Sequence, residues 1–176
     1  MIFDGFTHIL FDFDGTLCES EGDLKATWRE TFTELGLDLA RFEAGYRTGP
    51  PTEANARSFF PEADDAFIAD LCKHYRAKYY TSSYPLTVPY DGIDALLRRL
   101  KKSGKRVFMA TNKNEVPLGR ILDKFNWKEL SSDVLALGAN QIGVLQWGGS
   151  VVEVHLHQLF ASLFETFVQV VDAQLS

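Results

Sequence analysis

Residues 9–17 read ILFDFDGTL, an apolar run that carries two carboxylates, Asp12 and Asp14, and breaks at once into Gly15-Thr16. Side chains two apart on a strand share a face, so both acids can point the same way at the strand's carboxyl end. Gly15 then permits a turn that most residues resist. Two carboxylates held this close repel each other, which raises one pKa unless a cation sits between them. The arrangement suits a divalent metal, a nucleophile and acid pair, or both at once. A second polar cluster, Thr111-Asn112-Lys113, ends the apolar stretch KRVFMA at 105–110.

Such residues need rigid elements behind them. Residues 7–13 read as a buried strand, because parallel strands covered on both faces lose their alternation. From 18 to about 88 the pattern turns helical, with no clear strand. Leu24, Trp28, Phe32 and Leu35 share one helical face before Gly36, with Ser20 and Asp23 as possible N-caps. Residues 39–46 form a shorter helical pattern, Thr52 caps another, and Phe67, Ile68, Leu71, Cys72, Tyr75 and Tyr79 mark a longer helix. Residues 47–51 are a loop by their turn residues. Asp91-Gly92 opens a helix through Leu100, KRVFMA is a second short strand, and Pro117 suits a helix start. Ser131 or Ser132 caps a further helix carrying Val134, Leu135 and Leu137. Residues 142–146 read as a strand, residues 151–157 alternate, and Leu159, Phe160, Leu163, Phe164 and Phe167 mark an amphipathic C-terminal helix.

A strand, a helical block, then strands alternating with helices predicts an α/β fold with a parallel sheet. The core takes residues 1–17 and 89–176, and residues 18–88 form an inserted helical domain. Ligands of such sheets bind beyond the carboxyl ends of the strands, where both polar clusters fall.

At these residues the sequence resembles the haloacid dehalogenase (HAD) superfamily, whose phosphatases open with D-x-D-G-T/V. The text FDFDGTL followed by a helical insert is most similar to the phosphoglycolate-phosphatase-like branch. The resemblance implies a HAD-like Rossmannoid core, here shortened, with an α-helical cap of the C1 type. It also implies a Mg2+-dependent phosphomonoester hydrolase acting on a small phosphorylated metabolite, such as phosphoglycolate, a sugar phosphate or a nucleoside monophosphate. In that pattern Asp12 attacks phosphorus and becomes an aspartyl phosphate, and Asp14 protonates the leaving oxygen and later activates water. Mg2+ binds the Asp12 carboxylate, the Asp14 main-chain carbonyl and a further acid. Thr111 matches the hydroxyl that binds a phosphate oxygen, with Asn112 beside it.

The family's later phosphate-clamping lysine and its Gly-Asp pair have no match. Lys113 stands nearest to the clamp, and Asp133, in SSDVLALG, takes the place of the second acid of the later motif and thus of a metal ligand. Either the chain is a shortened member, or a piece is missing between Leu130 and Ser131. Arg47, beside Gly49-Pro50-Pro51, and Glu19, just past the first motif, sit where caps of this branch meet substrate. The alternative reading is a catalytically silent HAD-like binding protein.

The 176 residues suffice for one sizeable core, and the net charge of −6 disfavours nucleic acid and anionic membrane. Two cysteines, Cys18 and Cys72, make no disulfide framework, and no leader or membrane span is apparent in the text, so a cytoplasmic protein of open oligomeric state is expected. His155 and His157 read as solvent-facing, and Tyr75, Tyr79 and Tyr80 as helix packing rather than base stacking.

Overall fold

The computed structural model describes residues 7–131 together with the strand backbones at 133–136, 143–147 and 150–154. In chain order, β1 (His8–Phe11) and β2 (Cys18–Glu19) precede α1 (Glu21–Glu34), α2 (Leu39–Gly45), α3 (Thr52–Phe59) and α4 (Asp65–Tyr79). Then come β3 (Val88–Pro89), α5 (Ile93–Lys102), β4 (Arg106–Thr111), α6 (Glu115–Lys124) and β5 (Asp133–Ala136). Residues 140–176 make a second compact unit, in which β6 (Gly143–Trp147) and β7 (Ser150–Val154) pair as an antiparallel hairpin. The expected C-terminal helix, His155 and His157 lie outside the described residues.

In the first unit β1, β4 and β5 form a parallel sheet in the order β1-β4-β5. His8 pairs with Arg106 and Phe11 with Met109; Phe108 pairs with Asp133 and Thr111 with Ala136. The sheet is therefore an α/β one, and Val107, Met109 and Ala110 are buried in it.

One expectation fails here. The helix expected over Val134, Leu135 and Leu137 is, at Val134 and Leu135, instead β5; Leu137 lies outside the described residues. A short apolar run such as VLAL has no polar face to give a helix, and beside β4 its backbone groups gain a full ladder. The join before it is also regular. Leu130 N donates to Trp127 O at 2.9 Å and Ser131 N donates to the same carbonyl at 3.3 Å, turning the chain from α6 into β5. The path β4–α6–β5 is a parallel crossover.

The helical block is bounded by strands that the periodicity did not show. Cys18 pairs with Pro89 and Glu19 with Val88, antiparallel, so the chain leaves and re-enters at one place. Inside the block the helices close on an aromatic centre. Trp28 stacks on Tyr75 with centroids 4.1 Å apart and meets Phe59 edge-on, while Phe32 lies against Phe42, Phe59 and Phe60. Rings in these geometries add attraction beyond the area they bury. Asp38, Asp64 and Asn114 cap α2, α4 and α6 by accepting from Ala40 N, Phe67 N and Val116 N. Ser20 precedes α1 without capping it, Thr52 is the first residue inside α3 rather than its cap, and Pro117 lies two residues inside α6.

The return path is gripped from two sides. Buried Asp23 of α1 accepts from Leu86 N (3.1 Å), Thr87 N (2.6 Å) and Thr87 Oγ1 (2.6 Å). Lys124 of α6 donates to the carbonyls of Tyr84 and Thr87 in the same loop.

Candidate active site

The backbone after β1 explains how two carboxylates come to share a rim. The Phe13 carbonyl accepts from Leu17 N (3.0 Å) and Cys18 N (3.1 Å), and Gly15 N donates back to Cys18 O (2.9 Å). Gly15 sits at φ +77°, a left-handed conformation that side-chain-bearing residues avoid. Phe13, Leu17 and Cys18 are fully buried and anchor the turn, whereas Asp12 and Asp14 keep partial access to solvent. The Cys18 thiol, pushed up to about 12 chiefly by burial, is a packing residue and no nucleophile.

Asp14 is held from two directions. Its Oδ1 accepts a short hydrogen bond from Ser20 Oγ and lies 3.0 Å from Lys113 Nζ. The lysine side chain is only 2% exposed, so its ammonium is a local positive charge inside an acidic chain. Lys113 Nζ also reaches Tyr79 Oη at 2.7 Å. The Asp12 carboxyl is raised to about 6, first by burial and then by the neighbouring Asp14 charge, with the Phe13 amide and Lys113 pulling the other way.

Thr111 ends β4 two residues beyond Met109, the partner of Phe11, so its buried hydroxyl belongs to the same rim as Asp12. Its Oγ1 accepts from Lys113 N at 3.2 Å, which leaves the hydroxyl proton free to donate. Asn112 is exposed and its Nδ2 donates to Gly49 O at 3.4 Å, tying this rim to the 47–51 loop of the helical block.

The other expected residues have partners of their own. Arg47 turns its guanidinium onto the carbonyls of Ala44 (3.2 Å) and Tyr46 (2.7 Å), where it caps α2, so its charge is spent on a helix end. Glu19 accepts from Glu21 N at 2.9 Å and from Tyr90 Oη at 3.1 Å, joining the ends of the helical block. Asp133 pairs with Phe108, which in turn faces Leu10, and so begins its strand in the amino half of the sheet, two strands from β1. A place in a later motif at the sheet's carboxyl edge does not fit that register; the Asp133 side chain lies outside the described residues. Ser20 and Tyr79 were missed as site residues. Ser20 reads as a helix start and Tyr79 as one ring of a stripe, and nothing local marks either as facing Asp14.

Among the described residues no group of three or more His, Cys, Asp or Glu side chains is placed to hold a metal. The resemblance assigns the metal to the Asp12 carboxylate and the Asp14 main-chain carbonyl, and both residues keep partial access to solvent at the rim. Mg2+ commonly takes one or two carboxylates and fills the rest of its shell with water and substrate phosphate. Two carboxylates against one ammonium leave the rim negative before any anion arrives, so the donor set fits a divalent cation.

The family model for haloacid dehalogenase-like hydrolase matches residues 9–139, and the chain belongs to that family. Among its curated relatives, the tyrosine-protein kinase PtkA of Mycobacterium tuberculosis is 31% identical over 86% of this chain and 50% of its own length. A phosphoglycolate phosphatase of Pseudomonas putida is 33% identical over 66% of this chain and 45% of its own. The chain thus spans about half the length of the curated relatives it matches. A predicted phosphatase from Clostridium acetobutylicum has the same fold, with a TM-score of 0.64 and 25% identity over 74% of this chain and 61% of that one. The solved structure of M. tuberculosis PtkA gives 0.63 and 25% over 77% and 62%.

Proposed function

We propose that this chain hydrolyses the phosphate monoester of a small metabolite through Asp12, with Mg2+ bound at the same rim. The observation that carries the reading is the pair Asp12 and Asp14 after β1, with a buried ammonium 3.0 Å from Asp14 and buried Thr111 at the end of the neighbouring strand β4. Phosphate esters resist attack because their oxygens are negative, and this rim combines a nucleophile with positive and hydrogen-bonding groups.

In the first step an Asp12 oxygen bonds to phosphorus while the ester P–O bond breaks, and Asp14 gives its proton to the departing alkoxide. In the second, Asp14 takes a proton from water, the water oxygen bonds to phosphorus, and inorganic phosphate leaves with Asp12 restored. Thr111 donates its hydroxyl proton to a phosphate oxygen throughout. Mg2+, held by the Asp12 carboxylate and the Asp14 carbonyl, would offset the charge between nucleophile and ester. The helical block, tied to the rim through Asn112 and Gly49, is read as the cap, and a capped site favours small substrates over proteins. Phosphoglycolate fits that size, and a relative named for that activity supports it. No helix among the described residues is long and apolar enough to cross a membrane. The buried free thiols of Cys18 and Cys72 suit a reducing compartment, so we place the chain in the cytoplasm.

The test is release of phosphate from 4-nitrophenyl phosphate and from phosphoglycolate. Turnover should require Mg2+, disappear with EDTA and return when the metal is restored in excess. Thr111→Val, which keeps shape and loses the hydroxyl, should lower kcat/KM about 100-fold and the thermal midpoint by only about 2–4 °C, since Lys113 N loses its acceptor. A silent binding protein, the second reading, rests on the absence of a third metal acid among the described residues. A well-folded chain that turns over neither ester with Mg2+ would establish it.

A further inference from the structure

We propose that Tyr79, on the helical block, is a positioning residue that holds Lys113 against Asp14 and thereby sets up protonation of the leaving group. The inference rests on the hydrolase reading and goes further, assigning a role to a residue that does not touch the reacting atoms.

The Lys113 ammonium is buried and needs fixed partners, because an unpaired buried charge is costly. Its partners are Asp14 Oδ1 at 3.0 Å and Tyr79 Oη at 2.7 Å, with the ring faces of Tyr79 and Phe13 at 5.1 and 5.9 Å. Tyr79 is itself immobilised. It is 3% exposed, its ring stacks on Tyr75 at 5.5 Å and meets Tyr84 edge-on at 5.3 Å, and its carbonyl accepts from Tyr84 Oη at 2.8 Å. Tyr75 in turn stacks on Trp28, so the hydroxyl is fixed by the aromatic centre of the block.

The geometry on Asp14 gives this anchor its meaning. Ser20 Oγ and Lys113 Nζ both engage Oδ1, while among the described residues no hydrogen bond reaches Oδ2. One oxygen is pinned, which fixes the direction in which the other points. Without the Tyr79 hydroxyl the ammonium loses one of its two polar partners, and the Asp14 carboxyl loses its fixed orientation. Because Tyr79 belongs to the helical block and Lys113 to the β4–α6 loop, docking of the block and readiness of the acid are the same event.

Tyr79→Phe keeps the ring and removes only the hydroxyl. An alkyl phosphate needs a proton on its leaving oxygen, whereas 4-nitrophenolate leaves without one. The variant should therefore lose about tenfold or more in kcat/KM on an alkyl phosphate and no more than about threefold in kcat/KM on 4-nitrophenyl phosphate, because kcat/KM reports the step that expels the leaving group and not the later hydrolysis common to both. In a Lys113→Met background the same change should have no further effect, since Tyr79 acts through that lysine. Equal losses on both esters, no loss, or full additivity with Lys113→Met overturns the proposal. A second measurement does not depend on turnover: acetylation of Lys113, followed by mass spectrometry, should be about tenfold faster in Tyr79→Phe, relative to exposed Lys101 and Lys102. An unchanged rate overturns the anchor. Wild-type silence on both esters would remove the hydrolase reading and the catalytic half of the proposal, and the acetylation rates would still decide the anchor.

Discussion

Asp12→Asn is expected to lower kcat on 4-nitrophenyl phosphate by about ten-thousand-fold or more and, at the same time, to raise the thermal midpoint. The first effect follows from loss of the nucleophile; an amide oxygen cannot form the acyl phosphate. The second follows from where the carboxyl sits. In an unfolded chain Asp12 ionises near 3.8, and in the folded chain near 6, chiefly because burial disfavours the charge. Between those values the folded form binds the extra proton, so stability from this group is greatest in acid and falls as pH rises through about 6. At neutral pH the ionised Asp12 is a burden on the fold of roughly 1–2 kcal/mol once its partial exposure is discounted. The Asn variant removes that burden, giving a gain of roughly 3 °C at neutral pH that vanishes near pH 4. Calorimetry at the two pH values checks this; a midpoint lowered at pH 7 would contradict it. The same shift implies that kcat/KM declines below about pH 6, since attack requires the ionised form, with Mg2+ moving that limb to lower pH.

The second large effect concerns stability alone. Asp23→Ala should cost roughly 3 kcal/mol in urea denaturation, because three donors lose a shared carboxylate at once and Thr87 N keeps only a longer bond to the Tyr84 carbonyl, 3.3 Å. Leu86 N, Thr87 N and Thr87 Oγ1 all converge on that carboxylate, and Asp23 and Thr87 are both buried. The first turn of α1 lies tight against the same loop: a Cβ added at Gly22 would meet Leu86 Cβ at 2.9 Å, so water has little room to replace the lost oxygens. A cost under about 1 kcal/mol would mean that the loop repacks and that Asp23 is not what holds it.

How much of this was legible in the letters depends on whether the signal was local. ILFDFDGTL and the Thr111 cluster could be read because strand, turn and polar residues are adjacent in sequence. The helical block was legible from its 3.6-residue period, and its aromatic stripe proved to be packing. β5 was not, since four apolar residues fit a helix or a strand and only the open edge of β4 decides between them. β2 and β3 are two residues each and exist because they meet, which no window of sequence contains. Arg47 and Glu19 looked available for substrate because charge on a loop gives no hint that a helix end nearby will claim it. Lys113 could be named from its place after Thr111, but its two partners come from the turn after β1 and from α4, and such meetings belong to tertiary structure.

The two-residue ribbon of β2 and β3 has an implication for how such proteins diversify. Its strands lie one ladder spacing apart, about 5 Å, so everything threaded between Glu19 and Val88 departs and returns through a single narrow doorway. A module attached that way can be lengthened, traded or pared down while the platform bearing Asp12 and Thr111 stays as it was. Selectivity can then drift from one metabolite to the next at little risk to the chemistry, because the parts that choose and the part that reacts are joined by so short a seam.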